Sequence, residues 1–122
     1  MPGDDLKRAL EDIVDFDEFK SGIIVCMVGS LNGAVLRMSN GKNKNFKGFF
    51  EIVSVMGTIS INGIHAHISI SDADGMVSGG HLLEGCKIHT TAEVAIIKSE
   101  IYFKRSYDPR TGYKELVVKT DQ

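Results

Sequence analysis

Three histidines are the residues best placed to do chemistry. His65-Ala66-His67 lies inside the apolar stretch from Ile64 to Ile70, and His81 follows His67 by fourteen residues, directly after Gly79-Gly80. Side chains alternate along a strand, so His65 and His67 point the same way, their Cβ atoms about 6.5 Å apart over two strand rises. Imidazoles at that separation can converge on one ion, whose bonds to nitrogen run about 2.0–2.1 Å. A turn at Asp72-Ala73-Asp74-Gly75 would bring the next strand, and His81 with it, back across the sheet toward the pair. Three neutral imidazoles with one open position form a known zinc arrangement, in which the ion stays positive enough to polarise water or bind an anion. Spacing alone leaves a plainer reading open. A His-x-His pair that is solvated, or satisfied by hydrogen bonds, needs no metal.

Other groups compete less well. Glu84, Glu93 and Ser69 are candidates for the pocket, the two carboxylates as general bases or as orienting partners of a ligating imidazole. His89 falls on the polar face of its strand and reads as a surface or interface residue. No serine sits in a Gly-x-Ser-x-Gly elbow, and no glycine cluster has the spacing of a phosphate loop. Asp72-x-Asp74-Gly75 resembles the opening of a calcium loop, but the closing Glu is missing, and Asp-Gly favours a hairpin turn. Lys42, Lys44 and Lys47 alternate with Asn and Phe, a mixture that can bind single-stranded nucleic acid through charge and stacking. Three lysines in a chain of net charge −2 leave a weak footprint, so a solvated loop is the plainer reading.

The elements that must position these groups follow from periodicity. Leu6, Leu10, Ile13 and Val14 share one face at a 3.6-residue period, which predicts a helix capped by Asp4 or Asp5 and ending near Phe19. Ile23 to Val28 is a continuous apolar run, predicted as a strand buried on both faces. Gly29 to Gly33 reads as a turn, Ala34 to Met38 as a strand, and Ser39 to Lys47 as a loop. Phe50 to Ile61 and Ile64 to Ile70 form strands joined by an Asn62-Gly63 hairpin turn. After a short strand from Met76 to Ser78, Cys86 to Ile97 forms a long one, with Ile88, Thr90, Ala92, Val94 and Ile96 on one face. Ile101 to Tyr107 and Tyr113 to Lys119 form a terminal hairpin. One helix followed by many strands predicts an α+β domain over residues 1–122, a mainly antiparallel sheet packed by the N-terminal helix.

The remaining properties narrow the function. With 122 residues, one core can form without staples. The net charge argues against a free-standing nucleic-acid binder that relies on phosphate neutralisation. Cys26 and Cys86 have neither disulfide-framework nor zinc-ribbon spacing and read as small buried hydrophobes of a reducing compartment. No segment has the apolar length of a signal core or a membrane span, so a cytoplasmic protein without membrane contact is expected.

The run from Gly63 to Cys86 is similar to the signature of the PPC (plants and prokaryotes conserved) domain: a His-x-His strand, a Ser-Asp turn, then Gly-Gly-His-Leu and a nearby Gly. Gly3-Asp4-Asp5-Leu6, Phe50 to Ser54, Gly57-Thr58-Ile59 and Thr90 to Val94 resemble further parts of the same family, so the likeness covers nearly the whole chain. The resemblance implies an antiparallel sheet packed by a helix and assembled as a homotrimer. It also implies that His65, His67 and His81 match a cluster able to hold zinc in prokaryotic members. In plants the domain accompanies an AT-hook in nuclear regulators, where it mainly supports oligomer and partner contacts. This chain has no Arg-Gly-Arg-Pro hook, which argues against direct DNA binding. The expectation is a stand-alone homotrimeric metal-binding module, associated with DNA through protein partners. The alternative is a zinc-dependent enzyme or a small-anion-binding protein that uses the three histidines.

Overall fold

Helix α1 spans Leu6–Phe16 in the computed structural model, which describes residues 1–16 and 20–119. Leu6 and Leu10 are fully buried, and Ile13 and Val14 pack against the same core, as the 3.6-residue spacing requires. Phe19, near which the helix is predicted to end, lies outside the described residues. Asp5 is the cap. Its carboxylate accepts the Arg8 backbone N–H at 3.2 Å and the Gly85 N–H at 2.7 Å. The Leu6 N–H donates to the Cys86 carbonyl at 2.9 Å, so the helix start is stitched to the segment that follows the His81 strand.

Seven strands follow: β1 (Ser21–Arg37), β2 (Asn43–Ser60), β3 (Gly63–Ser71), β4 (Val77–Leu82), β5 (Ile88–Lys98), β6 (Tyr102–Asp108) and β7 (Tyr113–Lys119). Every pairing between them is antiparallel. One helix and two antiparallel sheets among the described residues make an α+β architecture. The pairing closes on itself: β1 pairs with β2, β2 with β3, β3 with β4, and β4 with the end of β1. β5 takes the rest of that β1 edge, and β6–β7 form a separate two-stranded ribbon. Leu31, Leu36, Val55, Ile59, Ile70 and Leu82 fill the space between the strand ring and α1.

Several local expectations change. Ile23 to Val28 is not buried on both faces. Ile24 and Met27 are buried, while Ile23, Val25 and Val28 are 45%, 51% and 55% exposed. The reason is that β2 and β5 flank β1 edge to edge, satisfying its backbone, and only one face meets the core. Cys26 shares the outer face and is exposed; Cys86 is buried as expected. Gly29 to Gly33 is no turn. β1 runs straight through it, with register shifts beside Gly29 and between Asn32 and Ala34. Gly33 takes φ +82° there, so the glycines encode a bulge that bends the strand.

The loop predicted over Ser39 to Lys47 is shorter, because β2 begins at Asn43. Only Met38 to Lys42 turns, closed by the Met38 N–H on the Lys42 carbonyl at 2.8 Å. Polar residues can occupy the start of β2 because this end of the ribbon is solvated while β1 still supplies its backbone partners. At the next hairpin Ser60 pairs with Gly63, so the two-residue loop is Ile61-Asn62, one position earlier than predicted. The Asp72 turn forms as read: the Oδ1 atom accepts the N–H groups of Asp74 and Met76, each at 2.9 Å. β4 is longer than the expected Met76 to Ser78 and carries Gly79, Gly80 and His81 inside it. The alternation along β5 and the terminal hairpin match expectation.

Candidate metal centre

The strand register builds the site. Across the ring, Arg37 on β1 faces His81 on β4, His81 faces His67 on β3, and His67 faces Met56 on β2. His65 lies two residues along β3 on the same face, opposite Thr58. Close approach of the strands depends on two glycines. A Cβ at Gly80 would come within 2.6 Å of the Met38 methyl and 2.8 Å of the Arg37 carbonyl oxygen. One at Gly57 would come within 2.1 Å of the His65 carbonyl oxygen.

Ligating atoms of His65, His67 and His81 all lie within 4.8 Å of one another. The Nε2 atoms of His65 and His67 stand 3.3 Å apart. An ion with four tetrahedral ligands and bonds to nitrogen of about 2.0–2.1 Å separates neighbouring donors by about 3.3–3.4 Å. The pair already has that spacing. His81 supplies a third imidazole at the edge of the core, and its Nδ1 is buried with no hydrogen-bond partner among the described residues. An orphaned ring nitrogen beside two convergent ones fits a bound cation.

Electrostatics favours lone pairs over protons here. Burial, aided by the Arg37 charge and the other two histidines, holds the His81 ring down at about 4. Burial and the Arg105 charge also lower His65. Both rings are therefore neutral at neutral pH and able to ligate without first losing a proton.

The histidines open onto a cleft of about 1030 Å³ whose far wall is the β6–β7 hairpin. Arg105 on β6 is held at its backbone by Asn62: its N–H donates to Asn62 Oδ1 at 2.7 Å, and Asn62 Nδ2 donates to its carbonyl at 2.7 Å. The Arg105 guanidinium donates to the Lys114 carbonyl across the hairpin and lies 3.4 Å from His65 Nδ1. The Arg37 guanidinium lies over the Tyr113 ring, 4.9 Å from its centroid. Arg37, Arg105, Tyr113 and Glu115 all line the cleft and carry no sequence motif. Their only sequence signal is indirect: Arg105 and Tyr113 stand on a hairpin that the alternation predicted.

Of the other residues singled out, Ser69 lines the cleft. Glu84 lies elsewhere, paired with Arg8 on α1 at 2.9 Å. Glu93 is an exposed β5 residue opposite Val28 and does not line the cleft. Lys42 in the turn before β2, and Lys44 and Lys47 near its start, are exposed, and Lys44 covers the Phe46 ring at 5.0 Å. His89 is exposed as expected and packs against Phe49, ring centroids 4.5 Å apart.

Fold and site together define a small α+β protein with a three-histidine cleft. The chain belongs to the Plants and Prokaryotes Conserved (PCC) domain family, whose profile matches residues 1–100. It is 38% identical over 121 residues to the bifunctional protein GlmU of Synechococcus sp. (strain JA-2-3B'a(2-13)). That match covers 98% of this chain and 19% of GlmU, so the chain spans about a fifth of that relative. Among solved structures, a hypothetical protein from Salmonella enterica superposes with a TM-score of 0.91 at 30% identity, covering 100% of this chain and 90% of that one. A candidate DNA-binding protein from Ralstonia eutropha gives 0.85 at 21% identity, over 97% and 87% of the two chains. A protein described as metal-containing from Archaeoglobus fulgidus gives 0.78 at 22%, over 96% and 88%. The last two likenesses establish the shared fold.

Proposed function

We propose that this protein is a homotrimeric metal-binding module that holds one zinc ion on His65, His67 and His81. The observation that carries this reading is the 3.3 Å separation of the His65 and His67 Nε2 atoms, with His81 paired to His67 across the strands. The Archaeoglobus neighbour's description as metal-containing supports it. Three neutral imidazoles leave the ion its full positive charge and an open position, which suits it to binding water or an anion.

The trimer is supported by the outer face of β1. Ile23, Val25 and Val28, with Ile97 beside Ile23, make an exposed apolar patch on a central strand. Such a patch is better buried between subunits than left in water. The Ralstonia neighbour's description supports a link to DNA. A net charge of −2, and a sequence without the Arg-Gly-Arg-Pro hook, support a contact made through protein partners.

Elemental analysis of untagged protein, with light scattering for its mass, tests the reading. The expected result is near one zinc per chain, lost in His67→Ala, on a particle of three chains. Protein that takes up no zinc even after incubation with it would overturn the ligand assignment; a monomeric mass would overturn the assembly.

A further inference from the structure

Two arginines that the metal reading leaves unexplained line the cleft with the histidines, Arg37 beside His81 and Arg105 on the opposite wall. Arg37 comes from the ring and Arg105 from the hairpin, which lies beyond the residues matched to the family profile. Among the described residues neither guanidinium forms an ion pair. Glu115, the carboxylate on the same rim, instead accepts the Thr111 hydroxyl at 2.8 Å. Lys7, at the mouth of an adjoining smaller cleft, is paired with Glu11 at 3.0 Å. Two guanidiniums and a dication would therefore share one cavity with the single carboxylate of Glu115, which leaves a large excess of positive charge. Like charges gathered at short range in a partly dry cleft raise the free energy of the empty state and favour an incoming anion.

Ring chemistry adds a second argument. In the free protein the Arg105 N–H can donate to His65 Nδ1 only if that atom holds a lone pair. A metal held on Nε2 of the same ring would leave the proton on Nδ1, which would then no longer accept. The Arg105 contact to His65 would be given up, and that donor would be left for another acceptor. Arg37 is fixed by stacking on Tyr113. An oxyanion is the partner that matches both guanidiniums, because carboxylate and phosphate oxygens suit their fork geometry. The cleft, at about 1030 Å³, has room for an organic body behind the anion, with Met56 and Leu116 as apolar walls.

Resting on the metal reading above, we propose that the loaded cleft binds a small organic oxyanion, a carboxylate or a phosphate ester, between the ion and the guanidiniums of Arg37 and Arg105. The test uses the full chain loaded with cobalt, whose visible spectrum reports changes in coordination. Succinate and glycerol phosphate serve as probes, with metal content measured in every sample. A saturable spectral change with either probe, weakened roughly 10- to 100-fold in Arg105→Met and in Arg37→Met at unchanged cobalt content, is expected from losing a charge-assisted hydrogen bond. Arg105→Lys, which keeps the charge but not the fork, should fall between. Loaded wild-type protein that shows no change with either probe at millimolar concentration would overturn the anion site while leaving the metal site standing. So would variants that bind the probes as well as wild type. Failure to load cobalt or zinc at all would instead sink the metal reading, and this one with it.

Discussion

The strand ring β1–β4 and the terminal hairpin β6–β7 form opposite walls of one cleft, and different forces hold them. In the ring, Leu31, Leu36, Ile59 and Ile70 have no exposed surface, and the histidines ride on strands whose register that burial fixes. In the hairpin, Tyr107, Tyr113, Leu116 and Val118 all remain substantially exposed. Its side near the cleft is attached through Asn62 to the Arg105 backbone, and its start through the Ser21 hydroxyl on the Ile101 carbonyl at 2.5 Å. The histidine wall is therefore built into the core, whereas the hairpin wall that carries Arg105 is joined to the rest largely by exposed hydrogen bonds, the kind of attachment that opens at low free-energy cost.

The largest effect should come from the ring. Ile70→Ala opens a cavity directly behind the histidine strand and should cost about 2–5 kcal/mol in urea unfolding. Zinc content should fall with it if the donors depend on the packed register. Next, Gly57→Ala forces a methyl against the His65 carbonyl and should destabilise by about 1–3 kcal/mol while loosening metal binding, measured by competition with a chelator.

The hairpin should behave differently. Asn62→Ala removes both hydrogen bonds to the Arg105 backbone and the one from the Ser60 hydroxyl, and should cost about 1–2 kcal/mol. Hydrogen exchange should speed up in Tyr102–Asp108 and Tyr113–Lys119 and stay slow in β3. Equal acceleration in both regions would erase the distinction drawn between them.

The smallest effect is a pH dependence of the metal-free protein. The His81 ring takes up its proton near 6.5 when unfolded but only at about 4 when folded. The unfolded chain therefore binds more protons between those values, so folding stability falls as pH drops through that window and is unaffected above it. His81→Gln should flatten the urea midpoint against pH there, and an unchanged slope would show that the ring is not held neutral by burial.

Much of this was legible in the residues. The 3.6-residue spacing of Leu6, Leu10, Ile13 and Val14 gave the helix, and alternation gave β5 and the terminal hairpin, because each pattern is local. His65 and His67 share a face for the same reason. Glycine signals were legible in position but ambiguous in meaning. At Asp74-Gly75 they make a turn, and at Gly29 to Gly33 they bend a strand, since either outcome uses the same backbone freedom. The outer face of β1 misled because an apolar run looks the same whether its second face meets the core or awaits another surface.

By itself, then, the sequence determined most of the element types, the antiparallel α+β class and the pair of imidazoles that share one strand face, all of them consequences of nearest-neighbour stereochemistry. The turn at Asp72 to Gly75 pointed to the return of His81, but only the tertiary structure decided that it lands directly opposite His67, that Glu84 and Glu93 face elsewhere, and that Arg37 and Arg105 line one cleft. Those placements depend on strand order and register, which are set by how a distant set of side chains shares one core, and no short stretch of residues carries that information.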